Sequence, residues 1–103
     1  MSDNANLLSN RAPKPKSSIV FKELVEGGVV FDPEKEVYFG LNSAGSEIWK
    51  LLGQDGLSVT GLCDKLIARY TDVSAQTIRH DVTDLLRELL ENGLVEPAEG
   101  ASS

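Results

Sequence analysis

Residues 29–49, VVFDPEKEVYFGLNSAGSEIW, decide the fold. Val29, Val30 and Phe31 form an apolar β-type run, and Val37, Tyr38, Phe39 and Leu41 form a second. Asp32-Pro33-Glu34-Lys35 between them reads as a turn. Pro33 presets φ for its second position, and the Asp32 carboxylate can accept from the backbone two residues on. In the second run Val37, Phe39 and Leu41 alternate to one face, and Glu36, Tyr38 and Gly40 to the other. The Val37 face is taken as the core face. Asn42 or Ser43 then caps a helix that begins at Ala44. A hairpin running straight into a helix is a small α+β unit, and its last strand has a free edge unless something pairs with it.

Upstream, Ile19, Val20, Phe21, Leu24 and Val25 give a first strand over about 19–25, and Glu26-Gly27-Gly28 turns the chain into the second. The three strands make an antiparallel meander. Downstream, Ala44, Ile48, Leu51 and Leu52 fall at i, i+4, i+7 and i+8 of the first helix, with Trp49 beside that stripe at the rim of the core. Ser58 caps a second helix, in which Val59, Leu62, Cys63, Leu66, Ile67 and Tyr70 recur at helical spacing. A third begins near Ser74 or Ala75 and ends at Asn92-Gly93, with Gly93 as its natural stop. Its apolar face is Ile78, Val82, Leu85, Leu86, Leu89 and Leu90. The expected fold is therefore α+β, a three-stranded antiparallel sheet followed by three helices, winged-helix-like. The last two helices have the proportions of a helix-turn-helix. Residues 1–18, rich in Asn, Ser, Pro and Lys, read as a flexible N-terminal arm, 19–96 as the folded domain and 97–103 as a flexible C-terminal tail.

The 103 residues suit one domain, and the net charge of −6 is unevenly spread. Up to residue 22, Arg11, Lys14, Lys16 and Lys22 stand against Asp3 alone; the remainder has six basic and fifteen acidic residues. An acidic body repels phosphate backbones and favours neutral or basic peptides. No apolar run approaches the ~20 residues of a membrane span, and the polar N-terminus lacks a secretory apolar segment. With one Cys and one His there is no disulfide framework and little material for a metal centre. The expectation is a cytoplasmic protein without cofactor or membrane partner.

Enzymatic readings find little support. Cys63 sits on an apolar helical stripe, where a cysteine behaves as a small hydrophobe. His80 lies on the polar side of the third helix without a Ser or Cys partner. Asp81, Asp84, Glu88 and Glu91 are spaced as on any solvated helix face. For DNA binding, Gln76, Arg79 and His80 are the recognition-helix candidates, but the same helix carries four carboxylates against two arginines.

Peptide binding fits better. A free third-strand edge presents unpaired N–H and C=O groups to which a peptide can add as a fourth strand. A third helix lying across that edge makes a groove, walled by Val37, Tyr38, Phe39 and Gly40 on the strand and by Ile78, Arg79, Val82 and Leu86 on the helix. Tyr38 and Arg79 are not required by the core pattern. Gly40 lets a peptide backbone or an aromatic ring approach closely.

Val29-Val30-Phe31-Asp32, Val37-Tyr38-Phe39-Gly40-Leu41-Asn42, Gly45 with Ile48-Trp49, the stretch 66–70, Asp81-Val82, and Leu85-Leu86-Arg87-Glu88-Leu89 with Gly93-Leu94-Val95 form a combination. In that combination the sequence resembles the PqqD-like proteins, also called RiPP precursor recognition elements. The resemblance implies a non-enzymatic protein that binds the leader of a ribosomally made precursor peptide. The leader adds to the third strand against the third helix and is presented to a modifying enzyme. Stand-alone members serve pyrroloquinoline quinone synthesis or lasso-peptide synthesis, the latter with a leader peptidase and a cyclase. The Tyr-Phe-Gly-Leu-Asn segment and the Ile-Trp pair are closer to the lasso-pathway form. The groove residues implied are Val37, Tyr38, Phe39, Gly40, Ile78, Arg79, Val82 and Leu86, in a monomer or weak dimer. A winged-helix DNA binder and a subunit whose free edge pairs with its own copy are the alternatives from other classes.

Overall fold

A computed structural model describes residues 11–54 and 57–97. Strands β1 (Lys14–Pro15), β2 (Val20–Leu24), β3 (Gly27–Asp32) and β4 (Val37–Leu41) precede helices α1 (Ser43–Leu52), α2 (Val59–Arg69) and α3 (Ala75–Glu91), and β5 (Val95–Glu96) follows. β2, β3 and β4 form the expected antiparallel sheet in that order, with Val20, Phe31 and Tyr38 in register across it. The class is α+β.

Local chemistry places the elements. The Asp32 carboxylate accepts the backbone N–H of Glu34 at 3.0 Å and of Lys35 at 3.3 Å, which pins the turn into β4. Asn42 caps α1 through Gly45 N–H at 2.8 Å, Ser58 caps α2 through Gly61 N–H, and Ser74 caps α3 through Thr77 N–H. At the end of α3, Gly93 N–H donates to Leu90 and Leu94 N–H to Leu89, with Gly93 at φ +70°. This is the paired-bond helix stop that favours a residue without a Cβ.

The core lies between the inner sheet face and the three helices. Val30, Ile48, Leu52, Leu62, Leu66, Val82, Leu86 and Leu89 are all buried in it. Trp49, expected at the rim, is buried, with its ring 6.3 Å from that of Phe21. Lys50 on α1 pairs with Glu23 on β2.

Two features differ from expectation. Of the arm expected over 1–18, residues 11–18 belong to the fold. Ala12 and Pro13 are buried, Ala12 N–H donates to the Leu57 carbonyl, and Lys14–Pro15 pairs antiparallel with Val95–Glu96. The apolar Ala12-Pro13 pair and the edge of β5 supply what the polar composition of this stretch hid. Residues 1–10 and 98–103, the rest of the two expected tails, lie outside the described residues. The first hairpin turns at Val25-Glu26, and Gly27 and Gly28 already pair with Leu24 and Glu23. Gly27 has φ +149°, and a Cβ there would lie 2.1 Å from the Leu41 carbonyl oxygen.

Two glycine substitutions in this sheet should therefore have opposite effects. Gly27→Ala is expected to cost at least about 2 kcal/mol through strain and clash. A Cβ on Gly40 meets nothing within 4 Å, so Gly40→Ala should be neutral or stabilising by up to about 1 kcal/mol. Urea denaturation of the two variants checks this.

Candidate functional site

β4 is an outer strand of its sheet, and among the described residues no strand pairs with its far edge. α3 stands alongside that edge, and a groove of about 380 Å³ separates them. Phe39, Gly40 and Leu41 form the strand wall. Asn42, Ala44, Gly45 and Ile48 close it at the start of α1, and Asp81, Asp84, Leu85 and Glu88 form the helix wall. Next to it lies an apolar recess of about 120 Å³, which shares Ala44, Ile48 and Asp81 with the groove and is completed by Leu66, Tyr70, Val73, Ile78 and Val82.

The strand residues expected at the site fall into two groups. Phe39 is half-buried and lines the groove together with the exposed Gly40. Val37, also half-buried, and Tyr38 flank it. Tyr38 is 69% exposed and stacks on Phe31 at 4.4 Å on the outer sheet face, away from the helices.

The helix residues need correction. Ile78, Val82 and Leu86 are 6%, 1% and 0% exposed and form the core stripe of α3. Ile78 and Val82 reach only the apolar recess, and Leu86 lines neither cavity. Arg79 is exposed on the opposite flank, and its positive charge acts on Cys63 of α2. The reason is helical geometry. At about 100° per residue, positions 78, 82, 86 and 89 share one face, whereas 81, 84, 85 and 88 share a face roughly a quarter turn away. The groove is therefore lined by a face of α3 next to the core stripe rather than by that stripe. Leu85 was the available signal, an apolar residue off the centre of a stripe already complete without it.

The helix wall is acidic. Asp84 is held by His80 Nε2 and Arg87 Nη1, each at 3.1 Å. Asp81 and Glu88 have no ion pair among the described residues. These are exposed interactions, worth about 0.2–1 kcal/mol each. Cys63 is buried, and burial pushes its thiol pKa up; Asp64 adds to this and Arg79 opposes it. Such a thiol is a poor nucleophile at neutral pH. Among the described residues no three His, Cys, Asp or Glu side chains are grouped to hold a metal, and no helix is long and apolar enough to cross a membrane. What the arrangement offers is a row of backbone donors and acceptors beside a groove whose other wall is apolar and acidic.

Comparisons with known proteins give a family and two similar structures. Residues 27–95 match the family model described as coenzyme PQQ synthesis protein D (PqqD). The structure of TbiB1 in complex with the TbiA(beta) leader peptide is similar at a TM-score of 0.71 with 30% identity, over 84% of this chain and 98% of that one. The structure of a lasso peptide synthetase B1 complexed with the leader peptide is similar at a TM-score of 0.71 with 26% identity, over 84% and 99% of the two chains. No curated protein matches.

The rotation of α3 is open to direct test. Leu86→Ala should lower stability by about 2–5 kcal/mol, as deletion of a buried leucine does, and Leu85→Ala by about 1 kcal/mol. Equal losses in thermal or urea unfolding would contradict the assigned faces.

Proposed function

The chain belongs to the PqqD family, and on that premise we propose that it is a non-catalytic protein that binds the leader segment of a ribosomally synthesised precursor peptide by β-strand addition and presents it to a modifying enzyme. The observation that carries the reading is the edge of β4, unpaired among the described residues, beside a groove whose other wall is α3. A leader strand hydrogen-bonds to β4 and sends alternate side chains inward, toward Phe39, Leu85 and Ile48. The apolar recess between α1 and α3 takes one of them. Each backbone hydrogen bond contributes a net ~0.5–1.5 kcal/mol and each buried apolar side chain ~1.5–3 kcal/mol. Three or four of each, less the cost of association and ordering, are enough for micromolar affinity.

Both similar structures described above are complexes with a leader peptide, and one of them is a lasso peptide synthetase B1, which supports a lasso-type pathway over pyrroloquinoline quinone synthesis. The partner is then a leader peptidase or another modifying enzyme, and the place of action is the cytoplasm, where precursors are made. The groove residues supply no nucleophile paired with a base, in keeping with a binding role. The carboxylates on the exposed side of α3 oppose DNA binding.

Titration with the leader of a precursor peptide encoded beside this gene tests the reading. Backbone amide shifts are expected on 37–42 and on Asp81, Asp84, Leu85 and Glu88. Leu85→Asp and Phe39→Asp, each verified as folded by circular dichroism, should weaken binding at least about ten-fold, the equivalent of roughly one buried apolar side chain. Shifts confined to α2, or affinity unchanged in both variants, would refute the groove.

A further inference from the structure

Between the strand wall and the helix wall, the groove has one strongly polar side. The strand wall contributes Phe39, Gly40 and Leu41, while the helix wall carries Asp81, Asp84 and Glu88 around a single apolar residue, Leu85. The three carboxylates are not equivalent. Asp84 is already engaged by His80 and Arg87. Asp81 and Glu88 stand seven residues apart, two helical turns on the same face, without an ion pair among the described residues. A peptide strand laid along β4 must place side chains against this wall, because alternate residues of an added strand point to the inner side of the sheet.

From this we infer that the groove selects peptides carrying basic side chains, with one Lys or Arg meeting Asp81 and another meeting Glu88. The inference rests on the strand-addition reading above and specifies the chemistry of its ligand. Seven residues of helix rise about 10 Å, and a strand advances about 3.4 Å per residue. The two basic residues therefore stand two or four positions apart, since only even spacings keep both on the inward side. An acidic residue at either position leaves like charges facing each other and is rejected. Where the basic residues stand four positions apart, the inward residue between them meets Leu85, which lies between the two carboxylates. The long methylene stems of Lys or Arg cover the neighbouring apolar surface while their charged ends reach the carboxylates. Selectivity of this kind acts through association rate and discrimination more than through affinity.

The test uses a display library of random twelve-residue peptides panned on the full chain. Selected peptides are sorted by amide shifts, and those that perturb 37–41 are kept. The expectation is that these carry Lys or Arg at two positions separated by one or three residues. The double variant Asp81→Asn with Glu88→Gln should bind them about 2- to 30-fold more weakly, the range for two exposed ion pairs. The loss should shrink as salt rises from 50 to 500 mM, because such pairs are screened. The charge-reversed variant Asp81→Lys with Glu88→Lys should prefer the same peptides with Glu in place of Lys. Peptides that bind β4 without basic residues, or that bind the neutralised variant equally well, overturn this inference and leave strand addition standing. A library that yields no peptide shifting β4 amides overturns both.

Discussion

Burial of one stripe on α3 governs the rest of the structure. Ile78, Val82, Leu86 and Leu89 are driven out of water into the space between α2 and the sheet, and full burial of each aliphatic side chain is worth about 1.5–3 kcal/mol. That interaction fixes the helix rotation. Once it is fixed, Asp81, Asp84, Leu85 and Glu88 have no freedom to face elsewhere, and they become the wall opposite β4. The site is thus a by-product of core packing on the adjacent face, and its register cannot slip without exposing leucines.

The other wall depends on a different constraint. Among the described residues β4 pairs with β3 alone, and the Asp32 turn and the Asn42 cap fix its two ends. Its position leaves the far edge available without making it a long flat hazard, since the strand has five residues and α3 screens it. The small β1–β5 ladder ties the chain before β2 to the chain after α3. It anchors the end of the helix that forms the groove.

Much of this was legible in the sequence because it follows from local rules. Alternation in 37–41, the Asp-Pro turn, the Asn42 and Ser58 caps and the glycine stop after α3 are effects of neighbouring residues on one another. The inert character of Cys63 also followed from its place on an apolar stripe, and its burial agrees. The fold class and the strand half of the groove rest on such rules. The helix half does not. Periodicity identifies which face of α3 is apolar, but a groove wall is found beside that face, and the sequence pattern treats Asp81, Asp84 and Glu88 as ordinary solvated carboxylates. Residues 11–15 failed for a related reason, as nothing in Arg-Ala-Pro-Lys-Pro announces the partners Leu57, Ser58 and Val95 that lie distant in sequence.

By itself, then, the sequence determined the three-stranded sheet, the three helices and their order, because each is set by contacts or spacings within a few residues. Only the tertiary structure decided which side of α3 faces β4, that Trp49 is core, and that an expected arm is partly a strand. Those outcomes depend on how three helices share one buried volume. A helix in isolation has no preferred rotation toward a neighbour, and it acquires one only when its apolar stripe meets the surface that covers it.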